Sequence, residues 1–372
     1  MGRSLNSILE AYDAAAPLDQ AWTIPSAWYT DPRVFELEER AVFGRTLQPA
    51  ARADQVAEPG SYVTAEIAGE PIVVVRGSDG GLRAFFNVCR HHAAAVVTEA
   101  EGRAPRFRCP YHGWTYSLEG ELRGMPEFEG VCRFEKAENG LVPAHLEVWE
   151  EFVMVAAEGS PPSIAVGLGD FAGRIAALNL SALRFRERRV YEVACNWKVY
   201  VDNYLDGGYH VPHAHKGLHS VLNYSHYTIE TAPRACLQSS PINASGGEQD
   251  EALVRRGSSA HYLWIYPGFM LNWYEGYMDT NWVIPLAVDR TQVVFDFYFS
   301  DFAGSSEEDR RRSIAVAERI QDEDKAICES VQRGLRSRAY EAGRLSVRRE
   351  AGEHLFHRLL AGDLRGAAST SI

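Results

Sequence analysis

Cys89-Arg90-His91 and Cys109-Pro110-Tyr111-His112 each pair a thiol with an imidazole, with 17 residues between the two motifs. Two thiolates on one side and two imidazoles on the other suit an asymmetric [2Fe–2S] cluster, both cysteines on one iron and both histidines on the second. Imidazoles bring less negative charge than thiolates, so such a cluster has a raised reduction potential and accepts electrons from ordinary reductases. Two cysteines with two histidines also make a structural zinc set. The C-x-H spacing, in place of C-x(2–4)-C, and the mixing of Cys with His in each pair favour iron–sulfur.

A second dense segment runs from Asn196 to His215, where Asp202, Asp206, His210, His213 and His215 fall within 14 residues. The four-residue repeat of Asp202, Asp206 and His210 predicts one shared helix face. Pro212 then breaks the helix and lets His215 swing back toward His210. Two imidazoles and one carboxylate, with three positions left open, form the ligand set of non-heme Fe(II) oxygenases. A polar helix end with solvated histidines would carry the same residue types. His213, one residue past the proline, reads as a residue that faces substrate or supports a ligand. Asp202, Asn203 and Asp206 are the candidate catalytic residues beside this metal.

The carboxylate ligand must come from elsewhere. Residues 305–338 predict a long amphipathic helix. Within Glu307–Leu335, Ile320, Ile327, Val331 and Leu335 form an apolar stripe. Asp324 lies on that stripe, whereas Asp322, Glu323 and Lys325 lie off it. A carboxylate on a buried face is costly unless it is paired or binds a metal. A salt bridge is the competing reading, and Glu329 is the second candidate ligand.

Composition bounds the elements that position these groups. At 372 residues, 46% of them apolar, the chain suffices for about two domains with full cores. The net charge is −12, and there is no basic stripe, which argues against nucleic acid. No run of 18 apolar residues marks a membrane span, and Met1–Gln20 lacks a signal-peptide core. The six cysteines are scattered, the pattern of a reducing compartment such as the cytoplasm. No ferredoxin cysteine run and no Rossmann glycine fingerprint is present, so electrons must come from a separate protein. Ser4–Ala15 and Pro32–Phe43 predict helices. From Leu47, short β-branched and aromatic runs separated by glycine turns predict an all-β region, with both Cys/His motifs at loop tips.

With both sites in view, the chain resembles the catalytic alpha subunits of Rieske non-heme iron oxygenases. Cys89, His91, Cys109 and His112 match that family's cluster pattern. His210 and His215 match its H-x4-H iron pattern, and Glu323-Asp324 its downstream E-D motif. The wording of Asp202–His215, of Y-P-x-F-M-x-N from Tyr266 and of M-D-T-N from Met278 is similar to the choline monooxygenase branch, which acts on quaternary ammonium compounds. The resemblance implies an α+β chain: a small all-β Rieske domain and a larger catalytic domain with helices on an antiparallel sheet. The expected boundaries are 1–40 for an N-terminal helical segment packing on the catalytic domain, 41–155 for the Rieske domain and 156–372 for the iron domain. It also implies a flavin- or ferredoxin-type NAD(P)H reductase as partner, O2 as co-substrate, and head-to-tail trimers or hexamers. Many members carry a bridging carboxylate three residues before the first iron histidine. Here that position is Gly207, so Asp206 or Asp202 is expected to take the role.

The expected substrate segment is Trp264–Trp282, with Trp264, Tyr266, Phe269, Trp273, Tyr274, Tyr277 and Trp282. Aromatic cages attract trimethylammonium groups at about 0.5–2 kcal/mol per contact. The expected reaction is hydroxylation or N-demethylation of a small quaternary ammonium compound such as choline or betaine. An aromatic or apolar substrate is the alternative, and a pure electron carrier is a third reading. Electron transfer alone leaves the His/His/Asp set unexplained.

Overall fold

The computed structural model describes residues 3–243, 254–300 and 306–370. The chain divides into two compact units, Glu39–Ile164 and Met1–Glu38 with Ala165–Ile372.

The first unit is all-β apart from single helical turns. Its strands are β1 (Gln48–Arg52), β2 (Ser61–Ile67), β3 (Glu70–Arg76), β4 (Leu82–Phe86), β5 (Glu101–Arg103), β6 (Phe107–Arg108), β7 (Thr115–Tyr116), β8 (Leu122–Gly124), β9 (Pro143–Trp149) and β10 (Phe152–Ala156). Seven form one antiparallel sheet in the order β1-β10-β9-β4-β3-β2-β5, and β6-β7-β8 form a second. The run Ile72-Val73-Val74-Val75 is fully buried because β3 is covered on both faces. Val73 and Val75 pack with Cys89, Cys109, Trp114 and Tyr116, while Ile72 and Val74 face the opposite core with Ala51 and Val155. The alternation of a strand thus gives the cluster loops a floor of their own.

The second unit holds a seven-stranded antiparallel sheet. Its strands are β11 (Leu183–Val193), β12 (Thr228–Ala232), β13 (Ala235–Pro241), β14 (Ser259–Ile265), β15 (Phe269–Tyr274), β16 (Tyr277–Ala287) and β17 (Arg290–Ser300), in the order β11-β17-β16-β15-β14-β13-β12. Four helices matter for the site: α1 (Trp197–Leu205), α2 (Val211–Ala214), α3 (Glu307–Leu335) and α4 (Ala351–Thr370). α1 packs against α3, α4 and β16. Ser306 and Asp309 form a capping box at the start of α3, and the acids of its first turn suit the positive helix end.

The N-terminal residues of this unit are tied to α4, where Arg365 donates to Leu9 O at 2.8 Å. The helix expected over Ser4–Ala15 stops at Leu9. Asp13 Oδ1 accepts the Ala15 N–H at 3.0 Å, a local bond that competes with the helix ladder. The helix expected over Pro32–Phe43 is α-helical to Glu38, and Glu39–Phe43 is a π-helical turn.

The buried stripe of α3 also differs from the apolar one. It runs through Ile314, Ala317, Gln321, Cys328, Gln332 and Leu335, while Val331 is exposed. Gln321 and Gln332 are buried because each has a partner: Tyr200 donates its hydroxyl to Gln321 Oε1 at 2.7 Å, and Asn196 donates its N–H to Gln332 Oε1 at 2.8 Å.

Candidate active site

α1 carries one side of the site. Asn196 starts it by accepting the Lys198 N–H at 3.1 Å. Inside, Lys198 meets Glu38 at 2.6 Å with neither side chain appreciably exposed. Burial pulls the lysine pKa down and Glu38 pushes it back up. Trp197 Nε1 donates to the same carboxylate at 2.7 Å.

The helix ends at Leu205, before His210, so Asp206 and His210 do not share its face as the four-residue repeat predicts. Gly207 and Gly208 break it, with φ of +68° and +67°. A Cβ on Gly207 would lie 2.1 Å from Arg349 O, so both backbone angle and space demand glycine. Pro212 is not the breaker. It sits in the first turn of α2, where a missing N–H costs nothing. The loop still returns Asp206 to His210. Its carboxylate accepts the Tyr209 and His210 N–H groups at 3.0 Å each and stands 2.6 Å from His210 Nδ1.

His210, His215 and Asp324 converge, with their ligand atoms within 4.8 Å of one another. Asp324 Oδ1 lies 3.0 Å from His215 Nε2 and 3.6 Å from His210 Nε2, and accepts Asn203 Nδ2 at 2.8 Å. Behind His215, Glu323 approaches Nδ1 at 2.5 Å. Burial lowers the pKa of both imidazoles. The carboxylates around them outweigh it, so His210 is raised and His215 reaches about 9. Three acids around two imidazoles, with both Nε2 atoms turned to one carboxylate, is a donor set that fits a divalent iron.

Other candidates lie apart. Asp202 faces the opposite way, accepting the Tyr29 hydroxyl at 2.6 Å and His357 Nε2 at 3.0 Å. Glu329 accepts the Ala194 N–H at 3.3 Å. His213 is exposed.

His210, His215, Asp324 and Asn203 open on a cavity of about 110 Å³. Tyr200, Tyr204, Tyr227, Tyr262, Tyr274 and Phe295 supply its rings, and Gln238, Arg255, Asn272, Asp279, Asn281 and Gln321 its polar groups. Tyr274 alone of the expected aromatic residues is part of this wall. Trp273 lies on the other face of β15, against His261. Trp264 is buried against Phe356 and donates to Pro267 O at 3.1 Å. Tyr266 lies under the Arg234 guanidinium, Phe269 packs on Trp282, and Trp282 lies beneath Arg188. These rings pack against other rings or guanidinium groups and do not line the cavity. The residues sequence reasoning missed had a signal: Tyr200, Asn203 and Tyr204 share one face of α1 at i, i+3 and i+4.

In the all-β unit, the loops 89–94 and 109–114 close in the same way. Ala93 N–H returns to Cys89 O and Gly113 N–H to Cys109 O; Cys89 N–H bonds Ala94 O and Cys109 N–H bonds Trp114 O. Ala93 and Gly113 take the positive φ that each loop needs. Both thiols are buried, and the His91 and His112 rings lie 4.7 Å apart. His91 Nδ1 is buried without a hydrogen-bond partner, a lone pair that an iron would take. Trp114 stacks on His91 at 4.6 Å, and the Tyr116 hydroxyl lies 3.3 Å from Cys89 Sγ. Burial raises the Cys109 pKa, while the N–H groups of Tyr111 and His112 favour its thiolate. Two thiols and two imidazoles so placed fit the asymmetric cluster.

Comparison with known proteins agrees. The Rieske [2Fe-2S] domain model matches residues 46–135, and the ring hydroxylating alpha subunit (catalytic domain) model matches residues 180–365. The chain belongs to the Rieske non-heme iron oxygenases, as an alpha subunit. It is an oxygenase whose cofactors are a Rieske [2Fe–2S] cluster and a mononuclear iron. It is 38% identical to the chloroplastic choline monooxygenase of Arabidopsis thaliana, over 97% of this chain and 87% of that protein. It is 33% identical to the carnitine monooxygenase oxygenase subunit of Escherichia coli (strain K12), over 92% and 94%. The crystal structure of the quaternary ammonium Rieske monooxygenase CntA with L-carnitine superposes with a TM-score of 0.81 at 31% identity, covering 95% of this chain and 98% of that one. No helix among the described residues is long and apolar enough to cross a membrane.

Proposed function

We propose that the protein oxygenates a small quaternary ammonium compound, by C–H hydroxylation or N-demethylation. The observation that carries this is a cavity walled by five tyrosines and one phenylalanine that opens on His210, His215 and Asp324. Ring faces in a desolvated cavity attract a trimethylammonium group. Relatives named for choline and carnitine support the same class.

In this reading Cys89, His91, Cys109 and His112 hold the cluster, and His210, His215 and Asp324 hold the iron. When bound, the cluster supplies single electrons and the iron supplies O2 activation. The chain's own groups do the rest. Asp206 and Glu323 keep a proton on each Nδ1, which leaves each Nε2 lone pair free for the metal. Asn203 holds Asp324 in place. The aromatic wall excludes water and orients the substrate. Asp206 is also the acid we assign to the electron bridge, toward His112 of the partner subunit in a head-to-tail homotrimer or hexamer. A separate flavin- or ferredoxin-type NAD(P)H reductase delivers the electrons, and the cytoplasm is the proposed compartment. The Rieske domain is assigned to 41–155, and the catalytic domain to 156–372 with the 1–40 segment on it.

The test is O2 uptake with a surrogate reductase across choline, betaines and aromatic acids, alongside iron quantitation. The expected result is uptake stimulated by a quaternary ammonium compound and about three irons per chain. Stimulation by aromatic acids alone overturns the substrate class, and about two irons per chain would fit a pure carrier.

A further inference from the structure

We infer that Arg255 and Gln321 form a carboxylate subsite in the cavity, so that the substrate is a betaine-type zwitterion in preference to a choline-type alcohol. This rests on the quaternary ammonium reading above and deepens it.

Arg255 lines the cavity at only 3% exposure. Its Cζ lies 4.9 Å from the Tyr274 ring and 4.3 Å from the Tyr277 ring, so both rings attract the guanidinium. Nη1 donates to Ser313 Oγ at 2.8 Å, but the buried Nε has no partner. Asp279, also on the cavity wall, does not take that proton. Its oxygens already accept the Tyr277 hydroxyl at 2.6 Å, Asn272 Nδ2 at 2.7 Å and Asn281 Nδ2 at 3.3 Å. Gln321 repeats the situation. Its Oε1 is filled by the Tyr200 hydroxyl, while its Nε2 is buried and unpartnered.

Both orphaned groups are donors. Buried donors without acceptors are costly and uncommon, so a pair of them in one cavity wall calls for a ligand that brings acceptors. A carboxylate brings two oxygens and a charge opposite to that of Arg255, and charge-assisted bonds are the strong ones. A choline hydroxyl brings one oxygen and a donor of its own. The rings of Tyr204 and Tyr262 remain for the ammonium end, while Tyr227 already meets the Arg349 guanidinium at 5.8 Å. Overall identity does not separate the two classes, since relatives named for choline and for carnitine both match nearly the whole chain. The unpaired donors do separate them.

Anaerobic calorimetry on the holoenzyme tests this with glycine betaine and γ-butyrobetaine, each beside its methyl ester, and choline. The expected result is that at least one carboxylate binds about tenfold or more tightly than its ester and than choline. Arg255→Met should erase that gap by weakening the carboxylate while leaving ester and choline unchanged, and Arg255→Lys should restore part of it. If Arg255→Met does not fold, the acid–ester comparison on the unmodified protein decides alone. Esters or choline binding as tightly as the acids overturns the subsite while the quaternary ammonium reading stands. No binding by any of the five overturns both.

Discussion

Removing Glu323 is the sharpest probe of the iron site, because this acid acts entirely from behind. It stands 2.5 Å from His215 Nδ1, while the opposite ring nitrogen faces Asp324 at 3.0 Å. With its proton held on Nδ1, the imidazole offers Nε2 to the metal in one tautomer and one orientation. Losing such a partner costs roughly 10–100-fold in metal affinity, or about 1.4–2.7 kcal/mol. The Glu323 side chain is 39% exposed, against 15% for Asp324, so water can replace part of what is lost. Glu323→Ala should therefore sit near the lower end, about tenfold weaker. Glu323→Gln keeps an acceptor in place and should lose less. The assay is chelator competition for the mononuclear iron in cluster-loaded protein, with Asp322→Ala, exposed one residue away, as control. The Rieske spectrum should not change. Wild-type iron affinity in Glu323→Ala would refute the tautomer argument, and loss of the cluster signal would show that the damage is not local.

Asp206→Asn should keep both metals and a reducible cluster, yet reoxidise that cluster far more slowly in the presence of substrate and O2. Asp202→Asn should reoxidise normally, since Asp202 bonds Tyr29 and His357 instead; the reverse pattern in stopped-flow traces would move the bridge to Asp202. Glu353→Gln should stabilise the fold selectively at high pH. Burial first, and then Asp202, Glu350 and Asp206, raise the Glu353 pKa well above the usual carboxylate range. A raised acid contributes its stability below the unfolded-state pKa and loses it as pH rises through the folded value. The Tm gain of the variant should shrink toward acid pH, and a gain of equal size across a pH series would contradict this.

What the sequence made legible was local. Cys89 with His91, and Cys109 with His112, lie within single loops, so their spacing alone carries the geometry. His210 and His215 are close for the same reason, although glycines and not Pro212 turn the chain there. Asp324 is only half-buried, at 15% side-chain exposure, and the stripe that pointed to it was out of phase with the buried face of α3. Gln321 and Gln332 belong to the buried face because Tyr200 and Asn196 donate to their Oε1 atoms from more than a hundred residues away. No periodicity in α3 can reveal a partner on α1.

The substrate wall failed for a different physical reason. Large rings gain most from full burial, so an aromatic-rich strand segment marks core before it marks a cavity. Trp264, with 0% exposure, is core by that rule. Polar groups obey the opposite logic, because a buried amide or carboxylate persists only where partners or a ligand meet it. Asn272 and Asp279 are cross-strand partners on β15 and β16, and Asn281 lies two residues beyond Asp279. Strand alternation puts these three on one face, and all three line the cavity. The motifs that tied the chain to its family already contained them, as the final Asn of Y-P-x-F-M-x-N and the Asp and Asn of M-D-T-N. In a sheet of this kind the inward polar residues, more than the tryptophans beside them, locate the substrate. Arg255 and Gln321 then follow as the members of that polar wall whose partners are still missing.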